Sequence, residues 1–317
     1  MSGAALRPRR DGDGGPAPAF DVVGFGFNTI DHVCQVERPQ LADGKARARS
    51  YLQLPGGQVP TALAALQRWG LRTAYVGPLG DDAGGTLQRA ALEADGVDLR
   101  GTRLRSGVGS HVSLIQVDAV SGERAIHWHR PAELALRGDE VDCGLLASGR
   151  ALLLDADDLD TALLAADAAR AAGALVMLDV DEPGPRTTTL LALTDAAIVA
   201  DGFPQRHTGA ADLGTALRRM AAEGPRLAVA TLGAGGALAC WDGRLHHVAA
   251  HRVPVVDTTS AGDCFHAGAL YGLLAGWPIA QALAFASAAA ALACTKLGGR
   301  TSIPALAEIA ALLGRSV

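Results

Sequence analysis

The residues best placed to do chemistry in this 317-residue chain lie in "VVDTTSAGDCFHAG", positions 255–268. Asp257 and Asp263 bracket the short side chains Thr258, Thr259, Ser260, Ala261 and Gly262, and an uncharged run follows. A strand ending near Val256 would turn here into a helix from about Ala261 to Leu274, with Gly276 as its stop. First-turn amides of such a helix have no acceptor within it, and the helix dipole favours an anion at that end. Small side chains at Ser260, Ala261 and Gly262 let an anion reach the backbone. Asp263 stands in the same turn, where its carboxylate can face a hydroxyl. A carboxylate that takes a proton, beside amides that stabilise charge, suits transfer of a phosphoryl group to an alcohol. A plain helix start would use the same residues, the acid serving only the dipole.

The elements that must position this turn are read from periodicity. "DVVGFGF" (21–27) is a buried strand, and "VCQVE" (33–37) and "ARARSYLQL" (46–54) are half-exposed strands. Pro60 opens a helix on which Ala62, Leu63, Leu66 and Trp69 share a face, and Gly70 ends it. A hairpin pattern joins 111–118 to 124–129. Strands at 73–77, 151–155, 174–179, 196–200 and 227–232, with helices near 160–172 and 211–223, predict a mostly parallel sheet with helices on both faces. The segments 32–55 and 108–131 do not fit that sheet and predict a small separate sheet, or lid.

Composition narrows the function. The chain is 49% hydrophobic with net charge −5, and it has no long basic run, which argues against nucleic-acid binding. Residues 1–19, rich in Gly, Pro and Arg, predict a disordered tail without the apolar core of a signal peptide. The alanine-rich stretch 279–295 is too small-sided for a membrane span and predicts a buried helix. Cysteines at 34, 143, 240, 264 and 294 form no C-x-x-C pair and read as reduced thiols of a cytoplasmic protein. The pairs His127/His129 and His246/His247 lack partners at zinc spacing.

"DTTSAGDCF" resembles the second signature of the PfkB/ribokinase family of carbohydrate kinases, D-T-x-G-A-G-D-x-F. "GFGFNTID" (24–31), "GGQVPTALAALQRWGLRTAYVGPLGDDAGG" (56–85) and "ALAFASAAAALACTKLGGRTSIP" (282–304) resemble further blocks of that family, in family order. The resemblance implies a ribokinase-like three-layer α/β sandwich over 20–317, with a mostly parallel central sheet and a small β-sheet lid. It implies ATP-dependent phosphorylation of a sugar, with Asp263 as base, Ala261, Gly262 and Asp263 forming the anion hole, and Ser260 completing the catalytic turn. Asp31, Gly56 and Gly57 would hold sugar hydroxyls; Thr29 and Asp157 match weaker sugar positions. Thr231, Gly233 and Gly236 resemble the nucleotide loop, although a hairpin turn would use the same glycines. Ser287 stands where ribokinases usually carry a nucleotide-contacting asparagine, and it would equally pack between helices. Asp257 and Ser302 resemble a potassium site, and Asp257 could instead cap the turn through Thr259. A homodimer through the lid is also implied.

Three departures stand out. Ser260 replaces a glycine, and Thr61 stands where asparagine is frequent. "VADGFPQ" (199–205) lacks the glutamate of the family's N-x-x-E motif, offering Asp201 and Pro204. Asp179 and Asp181 fall on one face of a strand end, resembling an acidic pair in ketohexokinase-like members, and with Asp201 they could act on magnesium through waters. A pentose or a ketohexose is the expected acceptor. A nucleoside, with Trp128 as the aromatic candidate for its base, and a non-catalytic sugar or nucleotide sensor are the alternatives.

Overall fold

The computed structural model describes Leu6, residues 17–39 and residues 45–314. The tail expected over 1–19 therefore lies outside the described residues, except for Leu6 and 17–19. Leu6 is buried against the core.

In chain order the elements are β1 (Phe20–Phe25), β2 (Thr29–Val36), β3 (Ser50–Gly56), α1 (Gln58–Arg68), β4 (Thr73–Gly80), α2 (Ala83–Asp95) and β5 (Asp98–Arg105). There follow β6 (Val112–Asp118), β7 (Arg124–His129), α3 (Cys143–Leu146), β8 (Gly149–Leu154), α4 (Leu159–Ala171), β9 (Leu175–Val180), α5 (Thr187–Leu191) and β10 (Ala196–Val199). The chain ends with α6 (Phe203–Thr208), α7 (Leu213–Ala222), β11 (Leu227–Thr231), β12 (Ala237–Trp241), β13 (Arg244–Val248), α8 (Ala261–Leu274), α9 (Ile279–Ala293) and α10 (Leu306–Leu312).

Nine strands form one sheet in the order β13-β12-β11-β10-β9-β8-β1-β4-β5. From β11 to β5 all neighbours are parallel, and β12 and β13 add an antiparallel hairpin at one edge. Successive residues of a strand face opposite sides, so each strand feeds two cores. Val22, Leu153, Met177 and Ile198 pack with α1, α8 and α9. Val23, Leu152, Leu178 and Val199 pack with α4, α5 and α7. The result is three layers, helix on sheet on helix. Among the described residues no helix is long and apolar enough to cross a membrane; the alanine-rich α9 is buried against α8.

A second sheet, of order β3-β2-β6-β7, stands apart from the first. Its inner face packs Val33, Ile115 and Val117 against Leu52, Leu54 and Leu297. Here β2 begins at Thr29, four residues before the strand expected at 33–37. The inward-facing Asp31 interrupts the apolar alternation on which that expectation rested. The strand expected from 46 begins only at Ser50. Residues 40–44 lie outside the described set.

Candidate active site

The C-terminal ends of the parallel strands gather the polar residues, as open α/β sheets do. Asp155 follows β8, Asp179 is the penultimate residue of β9, Asp201 follows β10 and Thr231 ends β11. Over this edge stands the inner face of the small sheet. There the Thr29 hydroxyl donates to Asp31, and Ser113 Oγ lies 3.3 Å from Thr29 Oγ1. A Cβ at Gly56 would sit 2.0 Å from Asp31 Oδ2, so the carboxylate occupies space that only glycine leaves. Burial raises the pKa of Asp31, against the Thr29 hydroxyl bond and the field of Arg300. Arg300 is itself buried and donates to the Gly56 carbonyl at 3.0 Å and to Asn28 Oδ1 at 3.3 Å.

Gly57 caps α1 with a positive φ of 95°, and Thr61 lies buried one turn on. Between them Gln58 donates to both acids of the expected pair, to Asp179 Oδ1 at 3.2 Å and to Asp181 Oδ2 at 3.1 Å. Asp179 is buried, its Oδ2 has no partner, and burial together with Asp181 raises its pKa well above the ordinary value. Asp201 is exposed in the turn after β10. Asp157 pairs with Arg130 at 2.5 Å, and Arg130 also grips Asp158 at 2.5 Å.

The helix expected from about Ala261 to Leu274 is α8. Its N-cap is Ser260, at φ 66°. That left-handed conformation explains the glycine usual in the signature, since a side chain there carries a steric cost. Ser260 offsets it with hydrogen bonds: Oγ lies 2.9 Å from Ser302 Oγ and donates to the Gly299 carbonyl at 3.2 Å. The backbone at Gly262 is exposed, and a Cβ there would meet nothing within 4 Å. Asp263 has its pKa raised well above the ordinary value, first by burial of its carboxyl and then by the charge of Asp179; His266 and Arg124 pull it back. The two ring nitrogens of His266 lie 2.9 Å from the Gly262 carbonyl and 3.0 Å from the Ile198 carbonyl, tying α8 to β10.

Asp257 is fully buried. Its Oδ1 accepts from Thr259 N at 2.8 Å and its Oδ2 from Gly298 N at 2.9 Å. The capping role is thus realised, and Asp257 additionally joins the turn to the C-terminal loop. Ser302 donates to the Gly299 carbonyl at 2.7 Å, and the buried Thr259 hydroxyl beside Asp257 has no partner.

The expected nucleotide loop follows β11 as a short 3₁₀ turn, Gly233–Gly235. Gly236 has φ 83°, and a Cβ there would fall 2.0 Å from the Val248 carbonyl, so the hairpin itself demands this glycine. Gly233 faces open space. Ser287, on α9, donates to the Ala249 carbonyl at 2.8 Å.

The profile of the "pfkB family carbohydrate kinase" matches residues 20–306. The chain belongs to this family. A fructokinase of Klebsiella pneumoniae is 32% identical to this kinase, the match spanning 83% of this chain and 92% of that one. A 5-dehydro-2-deoxygluconokinase of Shouchella clausii is 27% identical over 93% and 95% of the two chains. The structure of Arabidopsis thaliana ribokinase complexed with ribose and ATP superposes with a TM-score of 0.79 at 24% identity, covering 94% of this kinase and all of that chain, and establishes the shared fold.

Sequence reasoning missed Gln58, Ser113, Arg124, Arg130, Asp155, His266 and Arg300. Asp155 is buried and accepts from Phe27 N at 3.0 Å. It had a local signal, closing the strand expected over 151–155, which is aimed at this edge. Gln58 had one too, directly after Gly56-Gly57. Ser113, Arg124, Arg130 and Arg300 meet the site only through long-range contacts, whereas His266 stands one turn past Gly262 on α8, within the motif itself.

Proposed function

We propose that this kinase transfers the γ-phosphoryl group of ATP to a hydroxyl of a pentose or ketohexose, with Asp263 as the base. The placement of Asp263 carries the reading. Its carboxyl lies in the first turn of α8, next to the open backbone of Gly262, and burial raises its pKa well above the ordinary carboxylate value. Asp31 acts on its field from the sugar side and Asp179 from the sheet side.

In the proposed reaction Asp31, Thr29 and the backbone at Gly56 and Gly57 hold acceptor hydroxyls, with Asp157 and Thr61 at the margin. Asp263 takes the proton of one hydroxyl as that oxygen forms its bond to the γ-phosphorus and the bond to ADP breaks. The amides of Gly262 and Asp263, at the positive end of α8, stabilise the charge on the transferring group, with Ala261, whose amide donates to the Thr258 carbonyl at 3.3 Å, beside them. The loop from Thr231 through Gly233 to Gly236, with Ser287 behind it, takes the nucleotide. Asp179 and Asp181 fit a magnesium ion held through waters, because Asp179 keeps a buried oxygen without a partner and Gln58 holds the two side chains together. Asp201 faces the same sheet end at greater exposure. Magnesium, when bound, offsets phosphate charge. Asp257, Ser302 and the unpartnered Thr259 hydroxyl are oxygen donors that fit a monovalent cation such as potassium.

The small sheet acts as a lid that excludes water during transfer. Its outer face exposes Tyr51 and Leu114, each 56% accessible, which supports pairing of two copies through the lid. An ADP-release screen over pentoses, ketohexoses and nucleosides, with magnesium and with or without potassium, tests the reading. Turnover of a sugar that Asp263→Asn abolishes is the expected result, and turnover unchanged in that variant would overturn it.

A further inference from the structure

His111 immediately precedes β6, in register with the inner-face residues Ser113 and Ile115. Its carbonyl accepts from Ile30 N at 2.9 Å, which fixes the backbone beside Asp31. The ring is only 4% accessible, yet neither nitrogen has a hydrogen-bond partner. It lies between Phe27, 4.9 Å away at the exit of β1, and Trp128, 5.5 Å away on the inner face of β7. Trp128 is 64% accessible although it faces inward, so this end of the lid overhangs space that protein does not fill. A buried imidazole with two idle nitrogens is costly unless something else bonds it. Asp31, Thr29 and Ser113 continue the same face.

Resting on the sugar-kinase reading above, we propose that His111 is an acceptor-selecting residue. One ring nitrogen donates to an acceptor oxygen and the other accepts from a hydroxyl, while Trp128 covers the sugar. The acceptor is an uncharged sugar rather than a sugar acid. Burial lowers the pKa of His111 to about 4, so the ring is neutral and presents one donor and one acceptor. Arg130, the guanidinium whose field reaches the ring, is held by Asp157 and Asp158. A carboxylate on the acceptor would also face the acids Asp31 and Asp157.

The test uses His111→Phe, which keeps the stacked ring without its nitrogens, and His111→Asn, which restores a donor and an acceptor. For the sugar that the screen identifies, His111→Phe should raise the acceptor KM at least tenfold, with kcat within about threefold and the ATP KM unchanged; His111→Asn should recover part of the loss. An unchanged acceptor KM in His111→Phe overturns the assignment, as does an equal rise in both KM values. Preference for a sugar acid over its neutral counterpart overturns the selectivity while leaving the kinase reading intact. Absence of turnover on every sugar overturns both, and is thereby distinguishable.

Discussion

Arg124 of the small sheet donates to the Thr258 hydroxyl at 2.8 Å, across 134 positions of sequence. Thr258 in turn donates to the Gly122 carbonyl through both its amide and its hydroxyl, each at 3.2 Å. The β6–β7 hairpin is therefore fastened to the turn that opens α8, and its guanidinium helps hold down the raised pKa of Asp263. Removing that charge by Arg124→Gln should raise the pKa of Asp263 further, because its carboxylate loses a favourable cation. The acid limb of kcat/KM against pH should move to higher pH, more at low ionic strength than at high, since Arg124 is exposed to solvent. Profiles recorded at two salt concentrations decide it; an unmoved limb sinks the coupling.

Asp263→Asn should separate stability from activity. The folded pKa of Asp263 lies above its unfolded value. Such a carboxyl favours the folded state fully at pH below the unfolded pKa, and that contribution is lost as pH rises through the folded pKa. Between the unfolded and the folded pKa each unit rise in pH costs about 1.4 kcal/mol of stability. The amide variant should unfold at higher urea concentration at pH 7.5 than the parent, and the gap should close at pH 4. Its kcat should fall by about 10²–10⁴. Equal urea midpoints at pH 7.5 would count against the electrostatic account.

Ser260 combines a strained backbone with compensating bonds. Ser260→Ala keeps the positive φ and loses both hydroxyl contacts, leaving Ser302 and the Gly299 carbonyl with one fewer partner each. It should destabilise the fold by about 1–3 kcal/mol. Ser260→Gly loses the same contacts but removes a steric cost of roughly 1–2 kcal/mol, so it should fall near the parent. Urea denaturation of the two variants should rank alanine clearly below glycine, and the reverse ranking would refute the account.

Gly56→Ala should act on one substrate only. The added methyl would overlap the Asp31 carboxylate, at 2.0 Å from Oδ2, and push it off its bond from Thr29. The acceptor KM should rise roughly tenfold or more, corresponding to about 1.4 kcal/mol or more, with the ATP KM steady. Initial-rate kinetics with each substrate varied in turn will distinguish this from general damage, which would raise both.

Much of the large sheet was legible because its strands are buried on both faces and read as apolar runs. β5 was not, since it is an edge strand whose Arg100, Arg103 and Arg105 mask its periodicity. Among the candidate site residues, Asp263 was legible because it sits inside a short run of small residues, and Asp31 because "GFGFNTID" resembles a family block. Arg300 was not, because its meaning depends on a partner 244 positions away; Gln58 carried only its place after Gly56-Gly57, its partner Asp179 lying 121 positions away. Ser260 was legible as a departure that a small residue could fill, but its supporting bonds were not: Ser302 and Gly299 are placed beside it only by the fold. The idle nitrogens of His111 likewise had no local sign.

One amide links the two halves of the proposed reaction. Gln58 starts α1 directly after the Gly56-Gly57 loop, and its side chain spans Asp179 and Asp181. A shift of the sugar loop must therefore stretch or break bonds to the acid pair, and a shift of the acids must pull on the loop. On the proposed reading, the loop that holds the acceptor and the acids that face magnesium are coupled through Gln58, so enlarging the first for a bulkier acceptor would also re-aim the second.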